Sequence, residues 1–115
     1  MKINYHGRKF AGVENTANGQ VDGDTLFEYQ QRGQTLTAKY AGGSIRQGFM
    51  LGKVFEDGSI EFAYHHLDTD DVLKNGFCQS KPEWLPDGRI RLYETWHWTH
   101  GGDGNGSSIV EEIKD

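Results

Sequence analysis

The sequence is poor in the residues that staple or stiffen a small fold: its 115 positions hold one cysteine, Cys78, and two prolines. A lone cysteine excludes an internal disulfide and any zinc site built from several thiolates. No run approaches the ~18 consecutive apolar residues of a membrane-crossing helix, so the chain is read as one that does not span a bilayer. No charged start leads into an apolar stretch and a small-residue cleavage site, the pattern of a secretory leader, and the expected location is the cytoplasm. Aliphatic residues are sparse: Leu, Ile, Val and Phe together make about one position in five, just above the level at which chains fail to fold. Length and composition leave room for one domain over residues 1–115 and not for a two-domain enzyme. Basic charge is also short. Twelve Lys and Arg against 17 Asp and Glu give a net charge of −5, and the cations are scattered, not gathered into the stripe that marks a nucleic-acid face. No nucleic-acid partner is expected.

Glycine and aromatic residues are abundant. Glycine occurs 16 times, about twice the usual ~7%, and three Trp, five Tyr and six Phe supply apolar area that the aliphatic residues do not. Turn signals recur at Asn18-Gly19 through Asp24, Arg32-Gly33, Gly42-Gly43, Asp57-Gly58, Asp68 to Asp71, Asp87-Gly88 and Gly101 to Ser107. The segments between them read as eight strands near 8–17, 25–31, 35–40, 44–55, 59–67, 72–80, 88–99 and 108–114, with a short extended piece near 2–6.

Alternation supports these assignments. Leu36, Ala38 and Tyr40 share one face against Thr35, Thr37 and Lys39; Ile60, Phe62, Tyr64 and His66 share another against Glu61 and His65. Ile90, Leu92, Trp96 and Trp98 oppose Arg89, Arg91 and Thr95. The best helical candidate, Asp68 to Asn75, reads equally well as a hairpin. Short connections favour antiparallel neighbours. The expected fold is therefore all-β: a single antiparallel up-and-down meander of about eight strands, closed or nearly closed into a barrel, with a two-sheet sandwich as the alternative. Gly48 and Gly52, on the face of Met50 and Val54, suggest a sharply coiled strand or a bulge.

The candidate site lies on the inward faces. Glu94 interrupts the apolar row from Ile90 to Trp98, and a carboxylate pointing into a barrel must be paired, hydrogen-bonded or protonated. It is either a polar anchor or base in a ligand cavity, or a structural group bonded to a hydroxyl or indole N–H. Tyr40, Tyr64, Trp96 and Trp98 are core filling or the lining of a small-molecule pocket, and His66 shares their side. Such a pocket implies a small-molecule ligand, with no cofactor.

No metal site is expected. His65 and His66 are adjacent in a strand and face opposite ways, His97 points away from Trp96, and Asp68, Asp70 and Asp71 read as a solvated acidic turn. Gly101 to Ser108 lacks the Lys-Ser/Thr ending and following helix of a phosphate cradle, and reads as a flexible connection. Cys78 in a strand reads as inert unless a histidine lies beside it.

Three stretches carry a family likeness: Thr25-Leu-Phe-Glu-Tyr-Gln through Ala38-Lys-Tyr-Ala-Gly-Gly43, Pro86-Asp-Gly-Arg-Ile-Arg-Leu through Trp96-His-Trp-Thr99, and Ser108-Ile-Val-Glu-Glu-Ile113. Over nearly its whole length the chain resembles small bacterial proteins that commonly carry the label N-acetylglutamate synthase. The resemblance implies a lipocalin-like or calycin-like barrel, and the label implies acetyl transfer from acetyl-CoA to glutamate. Acetyltransferases of the usual type grip the coenzyme A pyrophosphate at a Gly-rich turn that opens a helix. The nearest approach here, Gln20-Val-Asp-Gly-Asp-Thr25, carries two Asp and leads into a strand.

Three functional readings follow. One is a non-enzymatic barrel holding a small, partly apolar ligand against Tyr40, Tyr64, His66, Glu94, Trp96 and Trp98. The second is an acetyltransferase with Glu94 or His66 as base. The third is a packed barrel acting through its outside, by self-association or a protein partner, along the stripe Phe49, Leu51 and Phe55. The oligomeric state is open.

Overall fold

The computed structural model describes residues 3–113. Lys2, in the expected first extended piece, and Lys114, at the expected end of the last strand, lie outside the described residues. Eight strands follow in chain order: β1 (Lys9–Asn15), β2 (Leu26–Arg32), β3 (Thr35–Gly42), β4 (Ile45–Val54), β5 (Ile60–Asp68), β6 (Leu73–Trp84), β7 (Ile90–His100) and β8 (Asn105–Glu112). Each pairs antiparallel with the next, and β8 returns to pair with β1, so the meander closes into a barrel. Closure rules out the sandwich. It also leaves no free sheet edge, which a two-sheet arrangement would have to shield.

The alternation seen in the sequence reappears as burial. Leu36, Ala38 and Tyr40 of β3 are buried while Thr35, Thr37 and Lys39 are exposed. On β7, Ile90, Leu92, Glu94 and Trp96 point inward and Tyr93, Thr95 and His97 outward. Asp68 to Asn75 forms no helix: it is the end of β5, a turn over residues 69–72 and the start of β6.

Several boundaries differ from the sequence expectation. β6 runs to Trp84, through Pro82, where an end near residue 80 is expected. Its pairing with β5 stops at Ser80, so Pro82 lies beyond the last β5 partner and its missing N–H breaks no rung of that ladder. β8 begins at Asn105, inside the tract read as a connection; only residues 101–104 link β7 to β8, and Gly106, Ser107 and Ser108 pair with Trp96, Thr95 and Glu94. Small polar residues hide a strand from a hydrophobicity reading. Pairing is continuous through Gly52, while Gly48 is the last regular pair before an irregularity that lies between Ile45 and Gln47 toward β5 and between Ile45 and Gly48 toward β3. Asp68 is not part of a solvated turn. It is buried, and its Oδ1 accepts the backbone amides of Asp70 and Val72, each at 2.9 Å.

The two ends of the barrel are filled differently. Around the β2–β3, β4–β5 and β6–β7 turns the interior is packed solid by Phe10, Tyr29, Leu36, Ile60, Ile90, Leu92 and Val110, none more than 1% exposed. The segment before β1 plugs this end. Tyr5 is fully buried, its hydroxyl donates to Gly58 O at 2.5 Å, and its ring packs against Phe10 and Tyr29. Arg8 closes over it, donating to both carboxylate oxygens of Glu112 at 3.0 and 2.8 Å.

The plug generates a test. Tyr5→Phe removes one buried hydrogen bond and is expected to lower stability by about 1 kcal/mol. Tyr5→Ala empties the end of the core and is expected to cost about 3–5 kcal/mol, as large aromatic truncations do. Urea unfolding midpoints separate the two; equal, small losses would show that the plug contributes little.

Candidate functional site

The opposite end of the barrel holds a cavity. Its walls come from the inward faces of six strands: Phe27 (β2), Tyr40 (β3), Met50 (β4), Phe62, Tyr64 and His66 (β5), Cys78 (β6), and Glu94, Trp96 and Trp98 (β7). Asn15 and Ser108 add to it from β1 and β8, and Gly19, Gln20 and Val21 reach it from the β1–β2 connection. The space open to the centre of a water molecule is about 40 Å3, several times the ~10–15 Å3 that one water requires.

Alternation explains the wall. Each strand contributes every second residue, and the row Trp98, Trp96, Glu94 descends from rim to interior because β7 is regular over that stretch. The aromatic side chains then need somewhere to lie, and glycines on neighbouring segments provide it. A β-carbon on Gly48 would overlap the Tyr40 ring, and one on Gly76 the Tyr64 phenol. One on Gly106 would lie 2.7 Å from the Trp96 indole, and one on Gly102 2.7 Å from that of Trp98. The four rings thus rest on backbone. They also contact one another: Trp96 and Trp98 at 5.4 Å between centroids, Tyr64 and Trp98 at 5.7 Å edge to face, with Phe27 stacked on Tyr40 at 5.0 Å.

Glu94 lies at the inner end of that row. It is 5% exposed, and its carboxylate accepts from Ser108 Oγ at 2.8 Å and from Ser80 Oγ at 3.3 Å. Burial penalises the charged form and raises its pKa from 4.5 to about 7, against the two serine hydrogen bonds that pull it down. Burial likewise pushes up the hydroxyls of Tyr40 and Tyr64 and the thiol of Cys78, which is therefore an inert thiol.

At the rim a directional chain of hydrogen bonds runs from the wall to the acidic turn. Asp68 is lowered to about 2, first by the Val72 amide and then by Gln20, so it is an ionised acceptor. Gln20 Nε2 donates to Asp68 Oδ2 at 3.1 Å, which turns Gln20 Oε1 toward His66 Nε2 at 2.7 Å. His66 Nε2 must then carry the proton, and Nδ1 accepts from the Tyr40 hydroxyl at 2.8 Å. Burial, with Lys74 nearby, lowers His66 from 6.5 to about 4, so the imidazole is neutral. The same contacts draw the β1–β2 connection over the rim, where Trp98 Nε1 donates to Asn18 O at 3.1 Å.

The family model described as avidin-like protein matches residues 3–113. The chain belongs to the avidin-like family. No curated protein matches the sequence. Membership agrees with the calycin-like barrel expected from the resemblance. An avidin-like barrel of eight strands has an interior just wide enough to be filled or to hold one small ligand, and here one half is filled and the other is not.

All six residues singled out in the sequence, Tyr40, Tyr64, His66, Glu94, Trp96 and Trp98, line this one cavity of the avidin-like barrel. His65 and His97 lie on its outer face, and among the described residues no three His, Cys, Asp or Glu side chains converge on a possible metal position. Sequence reasoning missed Met50, Phe62 and Ser80, which alternation places on the same faces. It also missed Asn15 and Gln20. Gln20 sits in an irregular connection, where no periodicity gives a direction.

Glu94 and His66 pull the pH dependence of stability in opposite directions. Glu94 titrates at about 7 when folded against 4.5 ordinarily, so the folded chain holds that proton more readily and stability falls as pH rises through this window. His66 titrates at about 4 against 6.5, so the folded chain holds its proton less readily and stability rises across that window. From pH 4.5 to 6.5 the slopes oppose each other. Urea midpoints should therefore vary little there in the native sequence, rise with pH in Glu94→Gln, and fall with pH in His66→Gln. Variants that keep the native profile would show that the two groups are not buried as described.

Proposed function

We propose that the protein is a non-enzymatic binder of a small, partly apolar ligand held in the cavity by Tyr40, Tyr64, His66, Glu94, Trp96 and Trp98. The observation that carries this reading is the unequal filling of the barrel: solid at the plugged end, and at the other open beneath an aromatic wall with one buried carboxylate. A largely apolar concavity with a few converging polar groups is the usual form of a small-molecule site. Membership of the avidin-like family supports it. Acetyl transfer draws less support from the cavity, whose lining contains no Lys or Arg to meet the phosphates of acetyl-CoA, and residues 20–25 lead into β2 and not into a helix.

A second reading rests on the outer face of β4. Phe49 and Leu51 are 42% and 61% exposed there, with Phe55 at 40% just beyond the strand. Such a stripe suits self-association or a protein partner.

Two-dimensional amide NMR decides between them. The protein is titrated with biotin, with short-chain alcohols and amines, and with acetyl-CoA plus glutamate. The expected result is saturable shifts along β5 and β7 with a small ligand and no acetylglutamate formed. For the ligand that binds, Trp96→Ala should weaken affinity by about 2 kcal/mol, the loss typical of a central aromatic anchor. Silence across the panel, or shifts confined to the β4 face, would overturn the cavity reading.

A further inference from the structure

Three carboxylates are buried among the described residues: Asp68, Glu94 and Glu112. Two of them have a cation within the chain. Lys74 Nζ lies 3.4 Å from Asp68, and Arg8 holds Glu112 at 2.8 Å. Glu94 has none among the described residues; two neutral serine hydroxyls are its partners. A carboxylate can accept about four hydrogen bonds, so acceptor capacity is left over on the side that faces the cavity. A second acceptor waits in the same wall. Asn15 Oδ1 is buried without a hydrogen-bond partner, and its orientation is fixed because Asn15 Nδ2 donates to Val21 O at 3.0 Å.

Six aromatic side chains make up most of the remaining wall. Phe27, Tyr40, Phe62, Tyr64, Trp96 and Trp98 surround the space, and no Lys or Arg is among the lining residues. Aromatic faces attract cations through their negative quadrupole, most strongly when water is excluded. The rim already carries one instance, for Lys74 Nζ sits 5.5 Å from the Trp98 ring centroid. An anionic ligand would meet Glu94 with no countercharge, and a purely apolar one would offer nothing to its ionised form.

Building on the reading of this cavity as a ligand site, we propose that it selects a small organic cation, an alkylated amine whose ammonium group is held between Glu94 and the aromatic rings. The small volume favours a head group the size of trimethylammonium over a large molecule.

The experiment compares three molecules of one shape: choline, its neutral carbon isostere 3,3-dimethylbutan-1-ol, and the anion 3,3-dimethylbutanoate. Each is titrated into the full chain and followed by amide NMR and by tryptophan fluorescence. The expected result is that choline binds at least about tenfold more tightly than the alcohol, the anion binds weakest, and Glu94→Gln abolishes the preference for choline. Affinity for choline should also rise by about tenfold or more from pH 5.5 to 8.5 as Glu94 ionises, since quaternary ammonium does not titrate.

Among the groups that face Glu94, Tyr29, Tyr40, Tyr64 and Cys78 are raised above this range and His66 is lowered beneath it. Ser80, Ser108, Met50 and Asn15 carry no titrating group. At the rim Lys74 is already matched by Asp68.

Equal binding of choline and the alcohol, or a preference for the anion, would overturn the cation while leaving a ligand site in place. No binding of any of the three would also overturn it. The broader reading of the cavity falls only if the wider panel is silent too. The isostere comparison on the native sequence stands even if Glu94→Gln does not fold.

Discussion

Everything in this molecule depends on one closure, the pairing of β8 with β1. The chain has too few aliphatic residues to bury two sheet faces against each other, and it has no helix among the described residues to cover one. Rolling a single sheet onto itself solves both problems: one apolar face encloses itself, and the first and last strands pair with each other. Because side chains alternate, half of each strand is then committed to the interior. The barrel wall decides which residues can meet, and the arrangement of Glu94, Ser80 and Ser108 on three consecutive strands follows from its register.

That enclosed interior is divided by size and polarity. The end with the N-terminal plug is filled by large side chains in mutual contact, while the other is walled by rings that reach across without filling it. The buried carboxylate lies between them, in reach of hydroxyls and with no cation beside it among the described residues. A group of this kind costs stability when ionised, and His66, which lines the same cavity, is held neutral by desolvation. This end of the barrel therefore carries an electrostatic cost at the carboxylate that the two serine hydroxyls only partly offset.

The fold was largely legible in the sequence. Eight segments with period-two alternation, separated by glycine-bearing turns, specify an antiparallel meander, while closure stood beside a sandwich as one of two arrangements and is decided by the pairing of β8 with β1. The inward set of the candidate site was legible for the same reason: Glu94 stood out because it broke an apolar row. What was not legible has a physical cause in each case. Asn105 to Ser107 pair as a strand through backbone bonds, to which side-chain hydropathy is blind. Gln20 reaches the rim from a connection with no period, and Asp68 is buried because backbone amides satisfy it, a fact that depends on the turn's conformation. Gly48 was read through its own strand, although its reason lies in the Tyr40 ring of the next one.

The pairing of cavity rings with glycines has a further consequence. Tyr40, Tyr64, Trp96 and Trp98 each lie against a residue with no side chain, so the calibre of the chamber is set by backbone positions and its chemistry by the rings and the carboxylate. These are separate dials. A methyl group added behind a ring would advance that ring into the chamber while leaving its chemical character untouched, whereas changing the ring would alter both. The volume of the chamber can thus change through substitutions at glycine positions while the side chains that line it stay the same.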